Sequence, residues 1–421
     1  RNVFFFIYKQ TTINQHYVPR FYMKNFSEVK NEETNKEKAL ISFYQFDKMI
    51  YIEKIPTKSI CCEKYFYDED GHIENKLTEK ESIWSKSIAK AKDNKNISKL
   101  DMNNILEFFV YQIIRTKAQL KHSQKLISML KSELMSECYQ EIDKSVIREN
   151  VEKEVKDDVK PEDVLSIADR LIIENSDLDI IIINNKTNIP FITSDVPVIY
   201  INPIEADNTG LSNIGEVIFC PISESKLVMF YDKKIYDKSY IKLKSEISEG
   251  EEEIIHNFNK YQYISANERI MSLECNVFDT YIKDKDLNDK RKEFNTTKRV
   301  NSVFDGNGIL LATKSRGIKY CYDINILKLP RQLRKIPEKF RRTAKRKYSK
   351  ENREKFLFSI YRMPDLARNE DEKQCFEQLQ KYSKRLLEYF DYYWKTPKED
   401  CTISGRDMDL LKTYPAKRFE Y

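Results

Sequence analysis

With 421 residues, 40% of them hydrophobic and 12% aromatic, the chain has enough apolar side chains for more than one core and too many for a disordered polymer. Its 73 basic and 67 acidic residues leave a net charge of only +6, which by itself implies no polyanionic partner, so the distribution of charge carries the information. The 8 glycines are too few for a Gly-rich phosphate-binding fold, and the 8 cysteines, without any C-x-x-C spacing, fit neither a zinc knuckle nor a disulfide framework but reduced thiols in the cytoplasm.

Residues 1 to about 70 read as short strands and loops. The run Val3-Phe4-Phe5-Phe6-Ile7 is too short for a signal segment and no cleavage pattern follows it. No later run approaches the ~18 apolar residues of a membrane span. Strands are expected over 39–46 and 49–52 with a turn at Phe46-Asp47-Lys48, and Asp70-Gly71 marks another turn. Helical spacing then dominates 74–175, through Leu77, Trp84 and Ile88, then Ile105, Phe108, Phe109 and Ile113, then Leu126, Ile127 and Leu130. Asp101 followed by Asn104 predicts a helix cap, and the charged stretch 150–163 reads as a loop or a solvated face.

Residues 178–232 switch to apolar strands. A strand over 178–183, a turn at Asn184–Asn188 and a returning strand at Phe191–Asp195 predict a hairpin, with further strands at 198–201, 216–220 and 226–231. Residues 248–273 read as a helix, and Val303 to Leu311 as a hairpin across Asp305-Gly306-Asn307-Gly308. A basic stretch from Lys328 to Lys355 follows, then an amphipathic helix over 370–395 with Phe376, Leu379, Leu386, Phe390 and Tyr393 on one face. The expected class is α+β: helical layers on a small, mostly antiparallel sheet, the N-terminal strands joining it. The expected domains are 1–290 and a basic, largely helical C-terminal region, 291–421.

The segment Asn14-Gln15-His16-Tyr17-Val18-Pro19-Arg20-Phe21-Tyr22-Met23-Lys24-Asn25-Phe26 resembles the opening signature of a bacterial family of unassigned function, an HYVP motif followed by F-Y-L-x-x-F. Four later segments are similar to other elements of that family: Glu63–Tyr67 to E-x-x-F-Y, Gln112–Thr116 to Q-x-x-R-T, Phe191–Val198 to F-I-T-S-D-x-P-V, and Pro221–Ser223 to P-L-S. Lys117 stands where many relatives carry Pro. The resemblance covers about residues 12–270 and implies an association with phage-defence or toxin loci, but no chemistry.

Several constellations carry candidate chemistry. His16, in a segment stiffened by Pro19, is a candidate general base, and Asp195 at a strand end a candidate metal ligand or orienting group for it. Gln112 and Arg115 share a helix face fit for an anion, and the spacing from Arg115 to His122 is that of HEPN-type ribonucleases. Asp195 with Glu224-Ser225-Lys226 has the letters of a D…E-x-K nuclease, for which a divalent metal would be the cofactor. The expected site gathers His16, Asp195 and Arg115 as catalytic groups with Arg20, Gln112 and Ser194 binding substrate.

The basic stretch, with Arg331, Arg334, Lys339, Arg341, Arg342, Lys345 and Arg346 interleaved with Phe340 and Tyr348, is the candidate nucleic-acid surface, and the 370–395 helix a candidate face for a partner protein. Walker A, G-x-G-x-x-G, H-E-x-x-H and G-x-S-x-G motifs are all absent. The leading expectation is a nuclease-like hydrolase. The alternatives are a non-catalytic nucleic-acid or protein binding module and a binder of a small anionic ligand held by Arg20 and Arg115.

Overall fold

A computed structural model describes residues 12–31, 37–138, 144–204, 210–211, 213–295, 302–304, 309–311 and 317–329. All belong to one compact unit, residues 1–334. The candidate nucleic-acid residues Arg331 to Arg346 and the 370–395 helix lie outside the described residues.

The chain opens with β1 (Asn14–His16), α1 (Arg20–Met23), β2 (Glu28–Asn31), β3 (Glu37–Gln45), β4 (Ile50–Pro56) and β5 (Cys62–Lys64). Helices α2 (His72–Lys92), α3 (Lys99–Ile114), α4 (Lys117–Cys138), α5 (Lys144–Asp158), α6 (Pro161–Leu165) and α7 (Ala168–Asn175) follow. Next come β6 (Asp179–Asn185), β7 (Thr193–Ser194), β8 (Ile199–Ile201), β9 (Val217–Ser223), β10 (Lys226–Tyr231), α8 (Lys238–Leu243), β11 (Glu246–Ile247), α9 (Glu252–Ser265) and β12 (Arg269–Ser272). The last elements are α10 (Asp279–Ile282), α11 (Lys285–Asn295) and the expected hairpin, β13 (Ser302–Phe304) with β14 (Ile309–Leu311). The fold is α+β, as the mixed periodicities predict. Among the described residues no helix is long and apolar enough to cross a membrane.

Two five-stranded sheets replace the single one expected. One has the order β11-β6-β10-β9-β8, antiparallel except for the β11–β6 pair. The other runs β2-β3-β12-β7 with β4 also on β3, so the N-terminal strands build their own sheet instead of joining the first. The predicted hairpin at 184–195 does not form. Asn185 turns the chain by donating to Ile189 O at 2.7 Å and accepting from Thr187 N at 2.9 Å. Asn259 of α9 then takes Ile192 N, and β7 enters the other sheet beside β12. The predicted helix over 248–273 is likewise cut short: it ends at Ser265, and Arg269–Ser272 is a strand that bridges β3 and β7.

The first sheet is covered on both faces. Along β9, Ile218, Cys220 and Ile222 face a core shared with Trp84, Phe108 and Phe109, while Val217 and Phe219 face one shared with Phe258 and Tyr261. β10 alternates the same way, Val228 and Phe230 against Leu227, Met229 and Tyr231. Each side chain withdrawn this fully contributes about 1.5–3 kcal/mol, and double coverage explains why these strands are apolar throughout instead of alternating. Ile318, Ile324 and Ile326 pack on the α9 side, where Ile318 N also bonds Tyr200 O.

Two helix ends differ from expectation. Ser98 caps α3, with Asp101 as its reciprocal partner three residues on, because the Ser98 hydroxyl reaches the Asp101 amide at 3.1 Å. The helical letters on either side of Arg115–Thr116 belong to different helices, since α3 stops at Ile114 and α4 starts at Lys117.

Candidate functional site

The HYVP strand is held by polar side chains on both sides. Gln15 is fully buried; its Nε2 donates to Asp68 O at 2.7 Å and its Oε1 accepts from Tyr67 N at 2.6 Å. From the end of α3, Gln112 Nε2 donates to Tyr17 O at 2.9 Å, and Arg115 Nη2 to His16 O at 2.6 Å. Arg115 also donates from Nε to Tyr67 Oη at 2.9 Å and from Nη1 to Glu81 Oε1 at 2.8 Å. The shared face of Gln112 and Arg115 therefore exists, but it grips the backbone of the HYVP strand.

His16 projects from β1 with its Nε2 buried and unpartnered. Burial first, then the Arg20 charge and that of Arg115, hold its imidazole down to about 4, against hydrogen bonding with the Thr57 and Lys58 backbone, so it is neutral at pH 7. Arg20 itself is exposed at the start of α1. Nearby, Glu74 is pushed up to about 7 by burial and by the charges of Glu81 and Asp68, despite the pull of Arg115.

Ser194 and Asp195 end β7 inside the protein. The Ser194 hydroxyl donates to Gln262 Oε1 at 2.9 Å and accepts from Val196 N at 3.1 Å. Asp195 accepts from Asn267 N at 3.0 Å and from Glu268 N at 2.8 Å. Burial pushes its carboxyl pKa upward, opposed by those two amides and by the Arg269 charge. Glu268 in turn meets Lys117 at 2.9 Å and Arg269 at 3.3 Å, while Lys117 also pairs with Glu63. The motif ends are thus joined by one charged chain: Glu63 of β5, Lys117 of α4, Glu268 before β12 and Asp195 after β7.

Tyr22 closes the arrangement. Its hydroxyl donates to Pro221 O at 2.7 Å and lies 2.7 Å from Thr193 Oγ1, which is left as donor. One oxygen therefore links the F-Y segment to strands of both sheets. His16, Gln112 and Arg115 come together through the backbone of His16 and Tyr17, while Asp195 is close enough to Tyr17 and Arg269 for its charge to act on both. A recess of about 310 Å³, partly open solvent, is lined by Ile113, Thr116, Gln119, Val196, Ser265 and Phe294, among which none of the six candidate site residues stands.

The other constellations do not assemble. Arg115 caps the end of α3 and His122 lies within α4, so their seven-residue spacing does not put them on one helix face. Asp195 bonds Glu268 N ahead of β12, whereas Glu224 Oε1 accepts from Leu273 N beyond its far end, and those two amides are roughly 16 Å apart along the extended strand. Lys226 turns its ammonium to Asn94 and Asn184 and away from both carboxylates. Among the described residues no group of three His, Cys, Asp or Glu side chains could hold a metal ion.

Sequence reasoning missed Gln15, Tyr22, Tyr67, Glu74, Glu81 and Gln262. The first three lie inside recognised segments and were legible as polar or aromatic residues in otherwise apolar runs. Glu74, Glu81 and Gln262 are single letters on polar-looking helices and carried no signal. No curated protein and no solved structure matches the chain. The model of the family described as protein of unknown function (DUF4238) matches residues 14–274, more than half of the sequence, and the chain belongs to that family.

Proposed function

We propose that the chain is a nucleic-acid-binding protein in which the family motifs build the scaffold and basic surfaces hold phosphates. The observation that carries this reading is the direction of the motif side chains. Arg115, Ser194 and Asp195 are 3%, 0% and 2% exposed, and each bonds groups inside the protein. A catalytic group has to reach the atoms it transfers protons to, and these do not face a substrate-sized space. The densest cationic run in the sequence is Lys328 to Lys355, whose Phe340 and Tyr348 supply stacking faces. Cys61, Cys62, Cys220, Cys275 and Cys321 are free thiols, which supports a reducing compartment such as the cytoplasm.

A second reading has one observation in its favour. His16 is neutral with an unpartnered Nε2, and the Arg20 guanidinium stands beside it in the open, a base and an anion anchor together. On that reading the protein is a nuclease-like hydrolase of the kind a phage-defence or toxin system would use. Incubation of the purified protein and its His16→Ala variant with labelled RNA and DNA, with Mg²⁺, Mn²⁺ or EDTA, separates the two. Retarded but intact polymer with both proteins is the expected result. Cleavage by the parent and not by the variant would establish the hydrolase instead.

A further inference from the structure

The C-terminal end of α2 gathers five lysines: Lys90 and Lys92 in its last turn, Lys95 just beyond, Lys226 at the start of β10 and Lys186 after β6. Among the described residues two carboxylates pair with them. Asp101 takes Lys90 at 2.8 Å and Asp93 takes Lys95 at 3.4 Å. The others have neutral partners or none: Lys92 Nζ donates to Asn25 Oδ1 at 3.0 Å, and Lys226 Nζ to Asn184 Oδ1 at 2.9 Å and to Asn94 Oδ1. Lys186 is exposed and meets no carboxylate among the described residues. It stands close enough that its charge, after burial, lowers the Lys226 ammonium pKa, with Asp93 opposing.

An amide oxygen satisfies an ammonium N–H without cancelling its charge. It also orients the amide. With Oδ1 turned to lysine, the Nδ2 groups of Asn25, Asn94 and Asn184 point the other way, and none has an acceptor among the described residues. The surface therefore presents hydrogen-bond donors and a surplus of positive charge. The α2 dipole offsets about half a charge of it and no more. Such a surface matches a ligand made of acceptors and negative charge. Lys90, Lys95 and Lys186 are exposed, Lys92 is half-buried and Lys226 is buried; at the exposed lysines a small free anion would stay largely hydrated, whereas a polymer gains from several contacts and from counterion release.

We propose that this lysine–asparagine surface binds the phosphate backbone of nucleic acid, as a second contact region besides Lys328–Lys355. The proposal rests on the nucleic-acid reading above. Its test uses the full chain and a fluorescent single-stranded RNA of about 20 nucleotides, titrated over a salt series. Lys92→Gln combined with Lys186→Gln changes one half-buried and one exposed side chain, neither of them part of the hydrophobic core. Each lost phosphate contact lowers the log K against log salt slope by about 0.7, so a fall of roughly 1.4 is expected, with weaker binding at every salt concentration. The comparison variant is Arg341→Gln with Arg342→Gln.

A slope that changes in the arginine variant but not in the lysine variant overturns the lysine surface and leaves the nucleic-acid reading standing. The converse sustains the lysine surface and removes the C-terminal stretch. If no RNA binds, or if the chain binds phosphatidylserine vesicles instead, both ideas fall.

Discussion

At the scale of single residues, the family signature reads as a packing code. The Tyr22 oxygen bonds both Pro221 O and the Thr193 hydroxyl. Tyr22→Phe keeps the ring and strands both partners, so a loss of about 1–3 kcal/mol is expected in the urea-unfolding free energy. An unchanged midpoint and slope would refute the role. His16 and Glu74 set a pH dependence. His16 titrates at about 4 when folded and 6.5 otherwise, so its stability contribution is present above 6.5 and lost as pH falls through 4. Glu74 titrates at about 7 when folded and 4.5 otherwise, so its contribution is present below 4.5 and lost as pH rises through 7. The two trends oppose each other in their shared window and largely cancel. Glu74→Gln should uncover a loss on acidification and His16→Asn a loss on alkalinisation, each of order 1–2 kcal/mol after solvent screening. Parallel stability–pH curves for parent and variants would refute this assignment. That Arg115 would meet an anionic group was legible, because its helix face reads as fit for an anion. Its particular acid, Glu81, was not, because nothing in a charged helix marks one glutamate as the one that turns inward.

At the scale of elements, legibility followed length and coverage. β9 and β10 were found because both faces are buried and their apolar letters run on without interruption. β12 was lost within a helical pattern because four residues are too few to establish a period, and its pairing with β3 and β7 decides its conformation. The break between α3 and α4 was hidden by Lys117, which continues the helical letters where many relatives have Pro. The cap of α3 was misplaced by three residues. Ser98 and Asp101 form a reciprocal pair, and either letter satisfies the pattern. Ser98→Ala should cost about 1 kcal/mol of stability. A thermal melt that does not move would return the capping role to Asp101 alone.

At the scale of the molecule, the residues up to Arg334 form a compact unit of their own. A chain ending at Arg334 should keep its thermal transition while losing most of its RNA affinity, read by melting and by fluorescence titration side by side. Retained affinity would move the main contact region onto the first unit. The second sheet adds a constraint of another kind. Phe43 of β3 pairs with Met271, and the Ser42 hydroxyl donates to Leu273 O, 231 residues downstream. During synthesis at about 5–20 residues per second, β3 and β4 leave the ribosome roughly 10–50 seconds before β12 exists. Throughout that interval the aromatic face of the hairpin has no native neighbour, and its edge is open to pairing with the same hairpin on an adjacent nascent chain. The β3–β4 hairpin is thus made long before its sheet is completed, and on a polysome the yield of native protein depends on what shields that hairpin in the meantime.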